Sequence, residues 1–154
     1  MAADTVPAID WAAPFDALSV GASFSTPTRV VTEDDVLAFA QLSGDHHPLH
    51  TDPDWAANGP FGERIAHGLL VVSLAAGLVP LHPERVMALR GLRDVTFKRP
   101  VRFGDAIRVL GRVEELRPVT PEAGLVGLTW SVADQDVQLV CRARVDVLWR
   151  REAA

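Results

Sequence analysis

"IAHGLLVVSLAAGLVPL", residues 65–81, is the longest apolar run in the chain, and what it forms decides the fold. It falls short of the roughly 20 residues that span a bilayer and carries a histidine near its start. A run that is hydrophobic all round and stopped by Pro80 reads as a helix buried in a protein core, predicted from near Gly68 to Val79. Beyond it the period changes from helical to alternating. "LRDVTFKRPV", "DAIRVLGRVEEL", "GLVGLTWSVADQ" and "VQLVCRARVDVLWR" are four strand-like runs separated by Gly, Pro and Asp signals. Short connections favour antiparallel pairing. With an early β-type stretch near residue 25, in "GASFSTPTRVVT", the count is about five strands. The sheet needs a cover for its apolar face and the helix is the only uniformly apolar element, so the sheet is expected to wrap it in an α+β fold.

Composition bounds the rest. A chain of 154 residues is one domain with room for a real core. With 48% hydrophobic and 23% charged residues, it has the balance of a soluble globular protein. Its formal charge of -5 disfavours a nucleic-acid partner, which needs a clustered excess of Lys and Arg. Cys141 is the only cysteine, which excludes an intrachain disulfide and any multi-cysteine zinc site; its place in "LVCRARVDV" marks it as core. The opening "MAADTVPAIDWAAPFDAL" lacks a basic region ahead of an apolar stretch, so a signal peptide, like a membrane span, is not expected and a cytoplasmic setting is. Residues 1–19, with Pro7 and Pro14, read as an extended lead-in to a single domain over residues 20–150.

Thr32 followed by "EDD" is a helix N-cap with acids in the first turn, and an apolar stripe from Val36 to Leu42 carries that helix to Gly44. The helix delivers the chain into "SGDHHPLH", residues 43–50, where Pro48 pushes His47 to an extended conformation and predicts a shaped loop. Three readings stay open for it. The histidines and acids offer metal ligands, though without the spacing of the helical HExxH type. They also fit a pinned structural turn. Thirdly, Asp45 and His50, aimed at one water, could exchange protons near neutral pH. Downstream, Gly68 at the start of the apolar helix presents backbone N–H groups and the positive end of a helix dipole, a receptor for an oxygen gaining negative charge. An acid–base pair with such a receptor suits addition or elimination of water next to a carbonyl.

"FAQLSGDHHPLHTDPDWA", "FGERIAHGLL" and "VTFKRPVRFGD", in that order and spacing, resemble the MaoC-like family of (R)-specific enoyl-CoA hydratases and acyl dehydratases, over about residues 20–149. The resemblance implies the hot-dog fold, an antiparallel sheet curled around a long central helix, as a homodimer with the site near the subunit interface. It implies reversible syn addition of water to a trans-2-enoyl thioester. Asp45 and His50 match the dyad that activates the water, and Gly68 matches the residue whose N–H binds the thioester oxygen. No metal or redox cofactor is implied; coenzyme A or the phosphopantetheine of an acyl carrier protein arrives as part of the substrate.

Two positions depart from the family pattern. His47 stands where asparagine is usual, and Ala76 where some hydratases carry a serine, with Ser73 one turn earlier. His47, His67 and Ser73 are therefore candidate substrate-binding residues, and His46 lies outside the dyad. The Lys98, Arg99 and Arg102 cluster could meet carrier phosphates or form a solvated strand end. The rival functions are a specialised acyl dehydratase, a hot-dog thioesterase and a non-catalytic acyl-binding subunit. The absence of any acid in "GLLVVSLAAGLV" weighs against the thioesterase, and the intact dyad against the last.

Overall fold

The computed structural model describes residues 6–152. The first helix, α1 (Glu33–Ser43), starts and stops where its sequence requires. Thr32 Oγ1 accepts the Asp35 N–H at 3.1 Å while Asp35 Oδ2 accepts the Thr32 N–H at 3.0 Å, a reciprocal capping box. Gly44, at φ 80°, closes it with its N–H on the Ala40 carbonyl. Two short helices follow, α2 (Pro48–Thr51) and α3 (Pro53–Ala57). The expected loop around Pro48 is thus a helical turn. Proline at the first helical position sacrifices no intrahelical bond, because that N–H has no partner anyway. His47 is extended before it, at φ -55° and ψ 134°.

The apolar run forms α4 (Gly68–Leu78). The long strands are β3 (Val86–Phe97), β4 (Ala106–Pro118), β5 (Ala123–Ala133) and β6 (Leu139–Arg150). All their pairings are antiparallel, in the order β4-β5-β6-β3. The early β stretch is two short strands, β1 (Ser23–Ser25) and β2 (Arg29–Val30), both on the free edge of β4. The count is therefore six. Pro27 interrupts that edge because it has no N–H to give, and Thr26 bridges the gap: its hydroxyl accepts the Val109 N–H at 2.9 Å.

The core is built from Leu70, Val71, Val72 and Ala75 of α4 against inward residues of β4, β5 and β6 such as Val109, Leu128 and Val145. Burying each of the larger side chains stabilises the fold by about 1.5–3 kcal/mol. Burial of the helix is one-sided, however. Leu69 is 67% exposed, and Ser73 and Gly77 also face outward. Leu89 and Leu92, in register with Val147 and Val145 on the helix side of the sheet, are 54% and 43% exposed. One sheet of this size covers one face of the helix, and β3 reaches beyond it. The lead-in also differs from a bare extended segment. Residues 1–5 lie outside the described residues, but Ile9 and Phe15 are in the core, and the Trp149 indole N–H donates to the Ala13 carbonyl at 2.9 Å.

Candidate active site

Asp45 follows the left-handed Gly44, and the turn is tied locally: the Asp45 N–H donates to Ser43 Oγ at 3.1 Å, and Asp45 Oδ1 accepts the His47 N–H at 3.1 Å. That backbone bond is the main reason the carboxyl sits below its ordinary range. The side chain is exposed and ionised at neutral pH.

His50 lies in α2, and its Nδ1 is 2.7 Å from the Ile65 carbonyl. A carbonyl only accepts, so the proton is on Nδ1 and Nε2 presents its lone pair. Burial holds His50 below the usual imidazole value, opposed by the Ile65 bond and by Asp45. The imidazole is a base at neutral pH.

His67, 2% exposed, is the N-cap residue of α4. Its Nε2–H donates to the Asp45 carbonyl at 3.0 Å, its ring stacks on His50 at 3.9 Å and 26°, and Phe39 meets it edge-on at 4.9 Å. Asp45, His50 and His67 each bring a side-chain O or N within 4.8 Å of the others. A single water with two bonds of about 2.8 Å bridges atoms up to about 5.6 Å apart, so this spacing suits one shared water. It suits a metal ion poorly. The in-plane lone pairs of two stacked rings run side by side instead of converging, and carbonyls already take His50 Nδ1 and His67 Nε2.

Gly68 opens α4 beside this pair. The helix has no side-chain N-cap bond, and the Gly68 N–H has no acceptor among the described residues. Asp45, His50, His67 and Gly68 all face one cavity of about 420 Å³. Its remaining walls are largely apolar, with Leu49, Phe61, Val71 and Phe97 prominent, and Lys98 and Arg99 also line it. Phe97 belongs to the stretch "VTFKRPVRFGD", and its ring lies against Gly68. A spacing pattern carries no signal for that contact, which joins the end of β3 to the start of α4.

Not every candidate is in the cavity. His47 points away: its Nδ1 accepts the Leu49 N–H at 3.1 Å and its ring meets Trp55 edge-on at 5.4 Å. It caps α2, a task the asparagine usual in the family also performs well. Ser73 is exposed and donates to the Leu69 carbonyl at 2.8 Å, and neither it nor Ala76 lines the cavity. His46 is exposed and outside it too. Arg102 leaves the basic cluster to pair with Glu63, whereas Lys98 and Arg99 have no carboxylate partner among the described residues. Cys141 is buried, and burial raises its thiol pKa, as suits a core residue.

Residues 16–137 match the family model described as MaoC like domain. The chain belongs to the MaoC-like family. It is 35% identical to the 3-hydroxybutyryl-CoA dehydratase of Methylorubrum extorquens over 90% of this chain and 87% of that protein. It is 44% identical to Protein MaoC of Klebsiella aerogenes over 62% of this chain, which spans only 29% of that longer protein. Among solved structures, a protein of Archaeoglobus fulgidus described as a monoamine oxidase regulatory protein superposes with a TM-score of 0.87 at 35% identity, over 92% of this chain and 96% of that one. The (R)-hydratase of Aeromonas caviae gives 0.72 at 31%, over 85% and 96%. This MaoC-like chain therefore shares its fold with proteins named as hydratases and dehydratases of acyl thioesters. No helix among its described residues is long and apolar enough to cross a membrane.

Proposed function

We propose that this MaoC-like protein is a hydro-lyase that adds water reversibly across the 2,3 double bond of a trans-2-enoyl thioester to give the (R)-3-hydroxyacyl product. The observation that carries the reading is that an ionised carboxylate, an imidazole with a free Nε2 and an uncapped helix N–H all open onto one largely apolar cavity. Asp45 and His50 Nε2 hold the water by accepting its two hydrogens. The thioester carbonyl oxygen accepts the Gly68 N–H, which with the α4 dipole stabilises the enolate oxygen. As the water oxygen bonds to C3, its proton passes to the dyad and the C2–C3 π electrons move toward the carbonyl oxygen. The proton then returns from the same pair to C2, on the same face, which makes the addition syn. Dehydration runs the same steps backward.

Coenzyme A or carrier-bound phosphopantetheine enters as part of the substrate, with Lys98 and Arg99 at hand for its phosphates. The functional unit is a homodimer that covers the bare faces of α4 and β3. His47 caps α2 and does not line the cavity, so that departure gives no reason to prefer a specialised acyl group. The test is loss of enoyl absorbance with crotonyl-CoA and longer enoyl-CoAs, followed by chiral analysis of the product. Turnover to the (R)-alcohol supports the reading. Failure across all chain lengths and carriers overturns it.

A further inference from the structure

The dyad and the oxyanion receptor come from separate parts of the chain. Asp45 is in the turn after α1, His50 is in α2, and Gly68 begins α4. Their chemistry requires a fixed separation, because C3 must meet the water while the carbonyl oxygen, two carbons away, meets the Gly68 N–H. One residue touches all three. The backbone of His67 runs directly into Gly68; its Nε2–H holds the Asp45 backbone at 3.0 Å; its ring lies flat on His50 at 3.9 Å. The ring itself is gripped, 2% exposed with Phe39 on another side.

We infer that His67 is a positioning residue: a spacer that sets the distance from the Asp45–His50 pair to the Gly68 N–H without exchanging a proton with substrate. A second observation separates this from ordinary core packing. His67 Nδ1 is buried without a hydrogen-bond partner among the described residues. Leaving such an acceptor unpaired in a buried site is destabilising, and a leucine or phenylalanine would fill the space without that penalty. What an apolar side chain lacks is the N–H to Asp45. With Nε2 committed to a carbonyl and Nδ1 closed off from solvent, the ring is also poorly placed to carry protons in or out. The titratable and charged groups facing His50 are Asp45 and His47 from its own loop, His67 from the α4 cap, and Lys98 and Arg99 across the cavity. Of these, His67 alone stacks on it, at 3.9 Å, while the His47 ring meets it edge-on at 6.3 Å.

The role rests on the hydratase reading, so the test has one arm that needs turnover and one that does not. His67→Phe keeps a flat ring on His50 but loses the N–H; His67→Gln keeps an N–H near the same place but loses the ring. With circular dichroism confirming the fold of each, His67→Phe is expected to lower kcat by about ten- to a hundredfold with little change in KM, the scale of a sub-ångström to one-ångström misplacement. His67→Gln is expected to recover part of that loss. In the second arm, long-range 1H–15N spectra of the imidazoles in the wild-type protein are expected to show the proton on Nε2 of His67 and on Nδ1 of His50. In His67→Phe the His50 titration is expected to move to higher pH, because the imidazole whose charge interaction opposes its protonation is replaced by an uncharged ring. A folded His67→Phe with kcat within about twofold of wild type overturns the proposal, as does a fall in kcat with the His50 tautomer and titration unchanged. If the wild type hydrates no enoyl thioester, the hydratase reading fails. The spectra then still decide the placement of His67, and the proposal falls if its proton is on Nδ1.

Discussion

The ring of Phe97 occupies the space that a side chain at residue 68 would need: a Cβ built on Gly68 would lie 2.7 Å from Phe97 Cζ. Glycine is required here for room, not for backbone conformation. Phe97 is 49% exposed, so its ring has somewhere to go. Gly68→Ala is therefore expected to fold, displace Phe97 and shift the N–H proposed to meet the thioester oxygen, lowering kcat/KM about tenfold or more. Phe97→Ala in the same chain should relieve the clash and recover part of the loss, a coupling of about 0.5–3 kcal/mol between touching residues. Steady-state kinetics on the two single variants and the double one measure it. Strictly additive effects would mean that the contact does not govern the receptor.

In the proposed mechanism Asp45 and His50 act on one water, so removing either disables the same step. Asp45→Asn and His50→Ala are each expected to lower kcat by about two to four powers of ten. The double variant should lose little more than the worse single one, since a catalytic unit broken once is already broken. His46→Ala, at an exposed position outside the cavity, serves as the comparison and should cost far less. Near-wild-type turnover in folded His50→Ala would return the histidine-rich turn to a structural role.

The same pair is expected to set the pH dependence. Both groups are shifted downward, Asp45 by the His47 N–H and His50 by burial, so both are in their basic forms at neutral pH. Protonating His50 removes the Nε2 lone pair that accepts from the water in the proposed mechanism. The acid limb of kcat/KM, which reports the free enzyme, is expected to lie below the 6.5 of an unperturbed imidazole, with a plateau through neutrality. A limb above that value would contradict the burial argument. In His50→Ala the limb should vanish from the residual activity.

Local signals made much of this molecule legible before its coordinates. Thr32, Asp35 and Gly44 mark both ends of α1 because capping is a matter of neighbours in sequence. The run from Gly68 sets α4 to within a residue of its observed end, since Pro80 forbids much more. Residue type singles out Asp45, His50 and Gly68, the family resemblance is what implies their roles, and the structure places all three on one cavity. What escaped was non-local. No pattern in the chain says that Phe97 lies on Gly68, that Glu63 takes Arg102 out of the basic cluster, or that Ser73 turns back to the Leu69 carbonyl. The one-sided exposure of α4 escaped for another reason. A helix apolar on every face gives no hint of which face the sheet leaves bare.

Lys98 and Arg99 offer a test that tells carrier recognition from acyl recognition. They line the cavity without carboxylate partners among the described residues, in a protein whose overall charge repels anions. Lys98→Ala and Arg99→Ala are expected to raise KM for crotonyl-CoA severalfold with kcat little changed, and added salt should narrow the difference by screening. The N-acetylcysteamine thioester, which has the same acyl group and no phosphate, should show no such change. An equal effect on both substrates would mean that the two residues shape the cavity and do not bind phosphate.

The bare side of α4 and the edge strand β3 predict the assembly. β3 has twelve residues, and its outer edge has no partner among the described residues, which leaves a row of backbone donors and acceptors free for another strand. Leu89 and Leu92 on its helix-facing side and Leu69 on α4 add exposed apolar surface that an isolated soluble subunit gains nothing by displaying. A second copy, meeting this one edge to edge, would extend the sheet and bury both patches. Sedimentation at micromolar concentration is expected to give a dimer. Leu92→Glu places a charge in that contact, at a position 43% exposed in the single subunit, so it should leave the subunit folded while shifting the equilibrium toward monomer. Gly68 and Phe97 sit beside the same surface, so the monomeric variant should also lose activity. A wild-type monomer at these concentrations, fully active, would show that the exposed leucines serve some other contact.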